Sequence, residues 1–100
     1  MAEKINPKYK AEVIHAVEYH YPQAKIILFG SRAWGNPKEG ADIDIAIDNG
    51  GQPVHPREVV RMRATMENLT MPLMVDIVDL NSIDKDFKEL ILTKGVVWKN

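Results

Sequence analysis

No cysteine occurs among the one hundred residues, so disulfides, thiol nucleophiles and Cys-ligated zinc are all excluded. Aromatic residues are sparse at 7%, and no stretch approaches the ~18–20 continuous apolar residues that a membrane span needs. The first residues, Met1-Ala2-Glu3-Lys4-Ile5-Asn6-Pro7, lack the apolar segment of a secretory signal, which makes a cytoplasmic location the expectation. A surplus of charge is also missing. Thirteen basic against fourteen acidic residues leave a net charge of −1, which argues against a dedicated nucleic-acid binder, because neutralising phosphate normally needs a basic excess. There is no internal repeat or low-complexity tract.

What is present is ordinary for a folded chain: 45% hydrophobic and 27% charged residues, at a length that holds one domain over 1–100. Asn6-Pro7 is a helix start, with Asn as the cap and Pro at the first helical position. Tyr9, Val13, Ala16 and Val17 then recur at helical spacing until Pro22. Lys25-Ile26-Ile27-Leu28-Phe29 reads as a buried strand that stops at Gly30-Ser31, with a helical turn near Arg32-Ala33-Trp34. Asp42 to Asp48 alternates strictly. Period two makes it a strand with Ile43, Ile45 and Ile47 on one face and Asp42, Asp44, Ala46 and Asp48 on the other.

Asn49 to Pro53 predicts a flexible loop, and Pro56 to Leu69 a helix with Val59, Met62, Met66 and Leu69 on its apolar stripe and Arg57, Arg61 and Arg63 on a basic side. Leu73 to Val78 is a further strand. Asn81 or Ser82 then caps a helix through Lys94, Gly95 takes the left-handed position after it, and Val96-Val97-Trp98 forms an edge strand. The order α-β-(loop)-β-α-β-α-β gives an α/β (α+β) class, a small mixed sheet flanked by helices.

Three features bear on chemistry. Asp42 and Asp44 lie on one side of a strand about 7 Å apart along the backbone. Carboxylates that close repel, and a hard divalent cation with oxygen ligands relieves the repulsion; the plainer alternative is a solvated strand face. Asp76 interrupts Met74-Val75-Asp76-Ile77-Val78, where a carboxylate is costly unless paired, hydrogen-bonded or metal-bound, or unless it sits on an edge strand facing water. Asp79 reads instead as a capping or loop residue. Gly30-Ser31 directly after a buried strand lets backbone N–H groups and a hydroxyl approach an anion, and the start of the following helix adds partial positive charge. It is not a Walker A loop, because Asn36-Pro37 occupies the Lys-[Ser/Thr] positions. Ser31 lacks the Gly-x-Ser-x-Gly setting of a hydrolytic nucleophile. His15, His20 and His55 read as ordinary, the first two facing different helix sides.

Taken together, Gly30-Ser31, then Asp42-x-Asp44 after a loop, then Asp76 on a later strand resembles the minimal nucleotidyltransferases of the DNA polymerase β superfamily, over roughly Ile26 to Trp98. One departure is Ala41, where that family usually has Ser. The resemblance implies that Asp42, Asp44 and Asp76 bind two Mg²⁺ ions, with Asp76 nearest the nucleophile and able to help deprotonate it. It implies that Gly30 and Ser31 grip the β- and γ-phosphates of a nucleoside triphosphate. Arg32 either assists those phosphates or is only a surface charge. The short members of the family resemble antitoxins whose partner is a helical HEPN-domain toxin. That implies transfer of AMP from ATP to a tyrosine of the partner, the acceptor's binding surface lying on the other chain. Two alternatives stand beside it: a non-catalytic neutralising module, against which the three acids argue, and the catalytic subunit of a two-chain small-molecule transferase. Base preference and oligomeric state are not legible.

Overall fold

The computed structural model describes residues 5–100, and its element order follows the sequence pattern with one short helix resolved between the first two strands. Helix α1 spans Pro7–His20, strand β1 Lys25–Phe29, helix α2 Ser31–Trp34 and strand β2 Ile43–Asp48. Helix α3 spans Pro56–Glu67, strand β3 Val75–Asp79, helix α4 Lys85–Lys94 and strand β4 Val96–Lys99. Asn6 caps α1 as expected, its Oδ1 accepting from the Lys8 N–H at 2.9 Å.

The strands form one sheet in the order β3-β2-β1-β4. β1 pairs antiparallel with both β2 and β4, whereas β2 pairs parallel with β3. The sheet is therefore mixed, and the α3 crossover supplies the length a parallel connection needs. On one face Ile43, Ile45 and Ile47 are fully buried beneath α1 and α3, in a core with Val13, Val17, Met62 and Met66. Burying each isoleucine contributes about 1.5–3 kcal/mol. On the other face α4 covers Ile27, Phe29, Ala46 and Leu80 through Ile91 and Phe87, with the Phe29 and Phe87 rings edge to face at 5.5 Å. Among the described residues no helix is long and apolar enough to cross a membrane.

Four expectations change. Helix α4 is capped by Asp84, whose Oδ2 accepts from the Phe87 N–H, not by Asn81 or Ser82. The earlier residues are held by Asp79 instead. Gly95 is not left-handed (φ −74°); a side chain is excluded there because a Cβ would strike the Ile91 carbonyl and the Ile27 methyl. Residues 49–52 close as a tight bridged turn, not an open loop: Asp48 Oδ1 accepts from the Gly51 N–H and Asn49 bridges Gln52. Leu73 and Met74 precede β3, so this strand starts two residues later than the apolar run suggests.

Candidate functional site

The carboxylates collect at one end of the sheet because of register. Asp44 stands opposite Phe29, the last residue of β1, and opposite Asp76 on β3. Neighbouring strands lie about 4.8 Å apart, so Asp44 and Asp76 project from adjacent positions on the same face, the one that α4 covers farther along. Asp42 immediately precedes β2 and is exposed. Asp44 is half-buried, and its carboxyl is pushed up to about 6, first by burial, then by the charges of Asp76 and Asp42, with Arg32 opposing. The three acids thus act on one another, as the sequence pattern anticipates.

β1 delivers the other half of the site. Gly30 follows Phe29 directly and takes φ 77°, a left-handed conformation that glycine adopts without strain. It also abuts Asp44: a Cβ on Gly30 would overlap Asp44 Oδ2 and come within 3.2 Å of its Cγ. Two independent reasons therefore demand glycine. Ser31 opens α2 and is exposed beside it. Because α2 is a single turn, its dipole adds little, and what the turn offers to an anion is its local N–H groups and the Ser31 hydroxyl.

Arg32 is not a surface charge. It is 7% exposed, and its Nε and Nη2 both donate to the Ala41 carbonyl, at 3.0 and 2.8 Å. This clamp fixes the end of the loop that carries Asp42. It also accounts for the tolerance of alanine at position 41, since the backbone makes the contact and any residue supplies that oxygen.

Asp76 lies on the edge strand with its side chain about half exposed, so the penalty for a carboxylate inside a sheet does not arise. Its Oδ1 is 4.0 Å from Arg63 Nη2, a group that also donates to the Ile77 carbonyl at 3.0 Å. Arg63 was legible only as part of a basic helix side. Its place beside the buried stripe, four residues after Val59 and three before Met66, turns it toward the sheet, but nothing in the sequence pointed to Asp76. Asp79 is on the opposite face, 5% exposed, and accepts from Val54 N–H, Ser82 O–H and Asn81 N–H, as its reading as a structural residue requires. Two of the three histidines are structural too: His20 Nε2 meets Thr65 Oγ1 at 2.7 Å, and His55 Nδ1 accepts from the Arg57 N–H as the cap of α3.

Beyond Asp76, a cavity of about 400 Å³ lies between the end of α3 and the segment leading into β3, lined by Asp42 and Asp76 together with Met66, Met71, Leu73 and Met74. For a divalent cation the donor set is right: oxygen ligands of like charge, whose mutual repulsion a cation would relieve. Among the described residues no three acids converge tightly enough to form a ready-made cage. The residues present thus fit a hard cation by chemistry and adjacency, Asp44 standing in register with Asp76 and two residues along the chain from Asp42.

Residues 11–99 match the family described as Polymerase beta, Nucleotidyltransferase. The chain belongs to that family. Its fold is similar to a chain from the toxin–antitoxin complex MntA–HpeT, solved as a mutant, with a TM-score of 0.75 and 20% sequence identity, covering 94% of this chain and 72% of that one. No curated protein matches. A minimal nucleotidyltransferase fold is therefore established, with the Gly-Ser turn and the acidic residues meeting at one end of its sheet.

Proposed function

We propose that this nucleotidyltransferase moves a nucleoside monophosphate, AMP from ATP, to a hydroxyl, the acceptor being a tyrosine of a helical HEPN-type toxin that the modification silences. The observation that carries the reading is the contact of Gly30 with Asp44 beside Asp76, which unites three sequence-distant features in one small volume. The similarity to a chain of a toxin–antitoxin complex supports the choice of partner.

Gly30 and Ser31 hold the β- and γ-phosphates through backbone N–H groups and the Ser31 hydroxyl. Arg32, by clamping Ala41, keeps Asp42 in place next to them. Asp42, Asp44 and Asp76 would hold Mg²⁺, which when bound supplies charge neutralisation for the triphosphate and for the entering and leaving oxygens. An Asp76 carboxylate oxygen accepts the hydroxyl proton as the acceptor oxygen bonds to the α-phosphorus. The bond from the α-phosphorus to the bridging oxygen breaks, and pyrophosphate departs toward Gly30 and Ser31. Asp44, whose carboxyl is raised to about 6 in the absence of a cation, must be ionised to hold one, so proton and Mg²⁺ compete and Mg²⁺ affinity rises with pH through about 6.

Intact-mass measurement after incubation with ATP, Mg²⁺ and the co-purified partner tests this. The expected result is a nucleotide-sized gain on one partner tyrosine, abolished by Asp42→Asn with Asp44→Asn in a chain that still folds. Tight association without any mass change would replace catalysis by neutralisation through contact, and transfer only to a small molecule would replace the protein acceptor.

A further inference from the structure

β3 is an edge strand, and the direction of its backbone groups decides what can reach its outer side. The Met74 carbonyl accepts from the Ile43 N–H, and the Leu80 N–H donates to the Ile47 carbonyl. Even-numbered residues of this segment therefore turn their peptide groups toward β2. Those groups alternate along a strand, so Val75, Ile77 and Asp79 point theirs outward. An outward carbonyl on an edge is ordinarily left to water or to another chain. Here two are taken from within the molecule, the Asp79 carbonyl by the Ser82 N–H and the Ile77 carbonyl by Arg63 Nη2 of α3, both at 3.0 Å.

The hydrogen bond to Ile77 fixes where the Arg63 charge sits. The same Nη2 is 4.0 Å from Asp76 Oδ1, an ion pair between half-exposed groups that adds little to stability. Its consequence is orientation. Arg63 approaches Asp76 from the outer edge of the sheet, whereas Asp44 stands in register with Asp76 on the β2 side. The two oxygens of a carboxylate are turned apart, so with Oδ1 toward Arg63 the other oxygen, Oδ2, is turned away from that edge. Arginine suits the task because its planar fork is rigid; lysine carries the same charge on a flexible stem without the fork.

We propose that Arg63 is the positioning residue for Asp76: held on the Ile77 carbonyl, it engages Oδ1 at the sheet edge and leaves Oδ2 to the reaction proposed above, on which this inference rests. The arrangement repeats on β3 what Arg32 does ahead of β2, where a guanidinium bound to the Ala41 carbonyl holds the chain beside Asp42. The two effects of Arg63 run in opposite directions. Its charge repels a divalent cation held by the same carboxylate and so weakens cation binding, while its fixed position aligns the carboxylate and so speeds transfer.

Two substitutions separate these effects. Arg63→Met removes charge and fork but keeps an apolar stem, whereas Arg63→Lys keeps the charge and loses the fork. Mg²⁺ binding is followed by NMR titration of the nucleotide-free chain, and transfer from ATP to the co-purified partner is measured at saturating Mg²⁺. Arg63→Met is expected to bind Mg²⁺ about threefold more tightly, because a screened repulsion is gone. Its kcat is expected to fall about tenfold with KM for ATP unchanged. Arg63→Lys is expected to keep the wild-type Mg²⁺ affinity and to share the low kcat. Loss of a merely structural contact would not tighten Mg²⁺ binding. If Arg63→Met fails to fold, Arg63→Lys decides: a low kcat at wild-type Mg²⁺ affinity upholds the role, and a wild-type kcat overturns it. Unchanged or weaker Mg²⁺ binding by folded Arg63→Met, or wild-type kcat in both variants, would likewise overturn the role of Arg63 and leave the transfer reaction standing. Tighter Mg²⁺ binding by Arg63→Met, with no transfer to any acceptor by the wild-type chain, would uphold the pairing of Arg63 with Asp76 and overturn the reaction instead.

Discussion

Asp44 is where the competing demands of fold and chemistry meet. Its carboxyl is raised from 3.8 to about 6 by burial and by two neighbouring acids, so the folded chain holds that proton more tightly than the unfolded chain does. Stability therefore falls as pH rises between those two values and stays reduced above them, the opposite of the usual salt-bridged aspartate. Replacing Asp44 by Asn removes the penalty. With solvent screening discounted, Asp44→Asn should gain about 1 kcal/mol in metal-free urea unfolding above pH ~6, and the gain should vanish below pH ~4. Unchanged stability at neutral pH would mean that the acids do not interact as described. Arg32 is the counterpart: a buried cation that lowers the cost of Asp44 while holding the backbone beside Asp42.

At the scale of elements, a second buried acid shows how the connections are held. Asp79 at the end of β3 gathers the loop before α3 and the turn before α4 through three donors, Val54 N–H, Ser82 O–H and Asn81 N–H. Asp79→Ala leaves the buried Val54 amide, the half-buried Asn81 amide and the Ser82 hydroxyl without their acceptor and should cost about 3 kcal/mol in urea denaturation, because hydrogen bonds to a charged group are the stronger kind. The proposed cation site, around Asp76, is at the other end of the strand, and Mg²⁺ binding is expected to be unchanged.

Much of this architecture was readable in advance. The alternation of Asp42 to Asp48 dictated β2 and its two faces, and Pro7 and Pro56 marked both helix starts, because period and proline act locally. The misplaced features are those set by tertiary contact. Gly95 stands where many helices place a left-handed glycine, whereas the close approach of Ile27 and the Ile91 carbonyl is what requires it. The cap of α4 moved to Asp84 because Asp79 already holds Asn81 and Ser82. At the site, the spacing of Gly30, Asp42, Asp44 and Asp76 was visible, but not the burial of Arg32 nor the approach of Arg63, since the chemistry of a side chain does not disclose what it reaches across a loop.

For the whole molecule, the proposed cation site at one end of the sheet predicts a fold whose stability responds to Mg²⁺. Mg²⁺ binding to the native state alone should raise the melting temperature in a concentration-dependent way, by mass action. The wild-type chain is expected to shift upward in differential scanning fluorimetry, and the chain with Asp42→Asn and Asp44→Asn is expected not to. An equal shift in both would place the cation elsewhere on the surface. The near-zero net charge also takes on a different meaning, because a neutral total conceals a local concentration of negative charge at the edge formed by β2 and β3.

The packing of Ile43, Ile45 and Ile47 has a consequence beyond stability. In a strand of period two, a slip of one residue exchanges the faces. Such a slip of β2 against β1 would drive Asp44 into the core under α1 and α3, and would bring a different side chain against the space that Gly30 leaves open. Three fully buried isoleucines therefore act as the alignment key of the site. The hydrophobic effect, which is blind to chemistry, decides on which side of the sheet the chemistry happens.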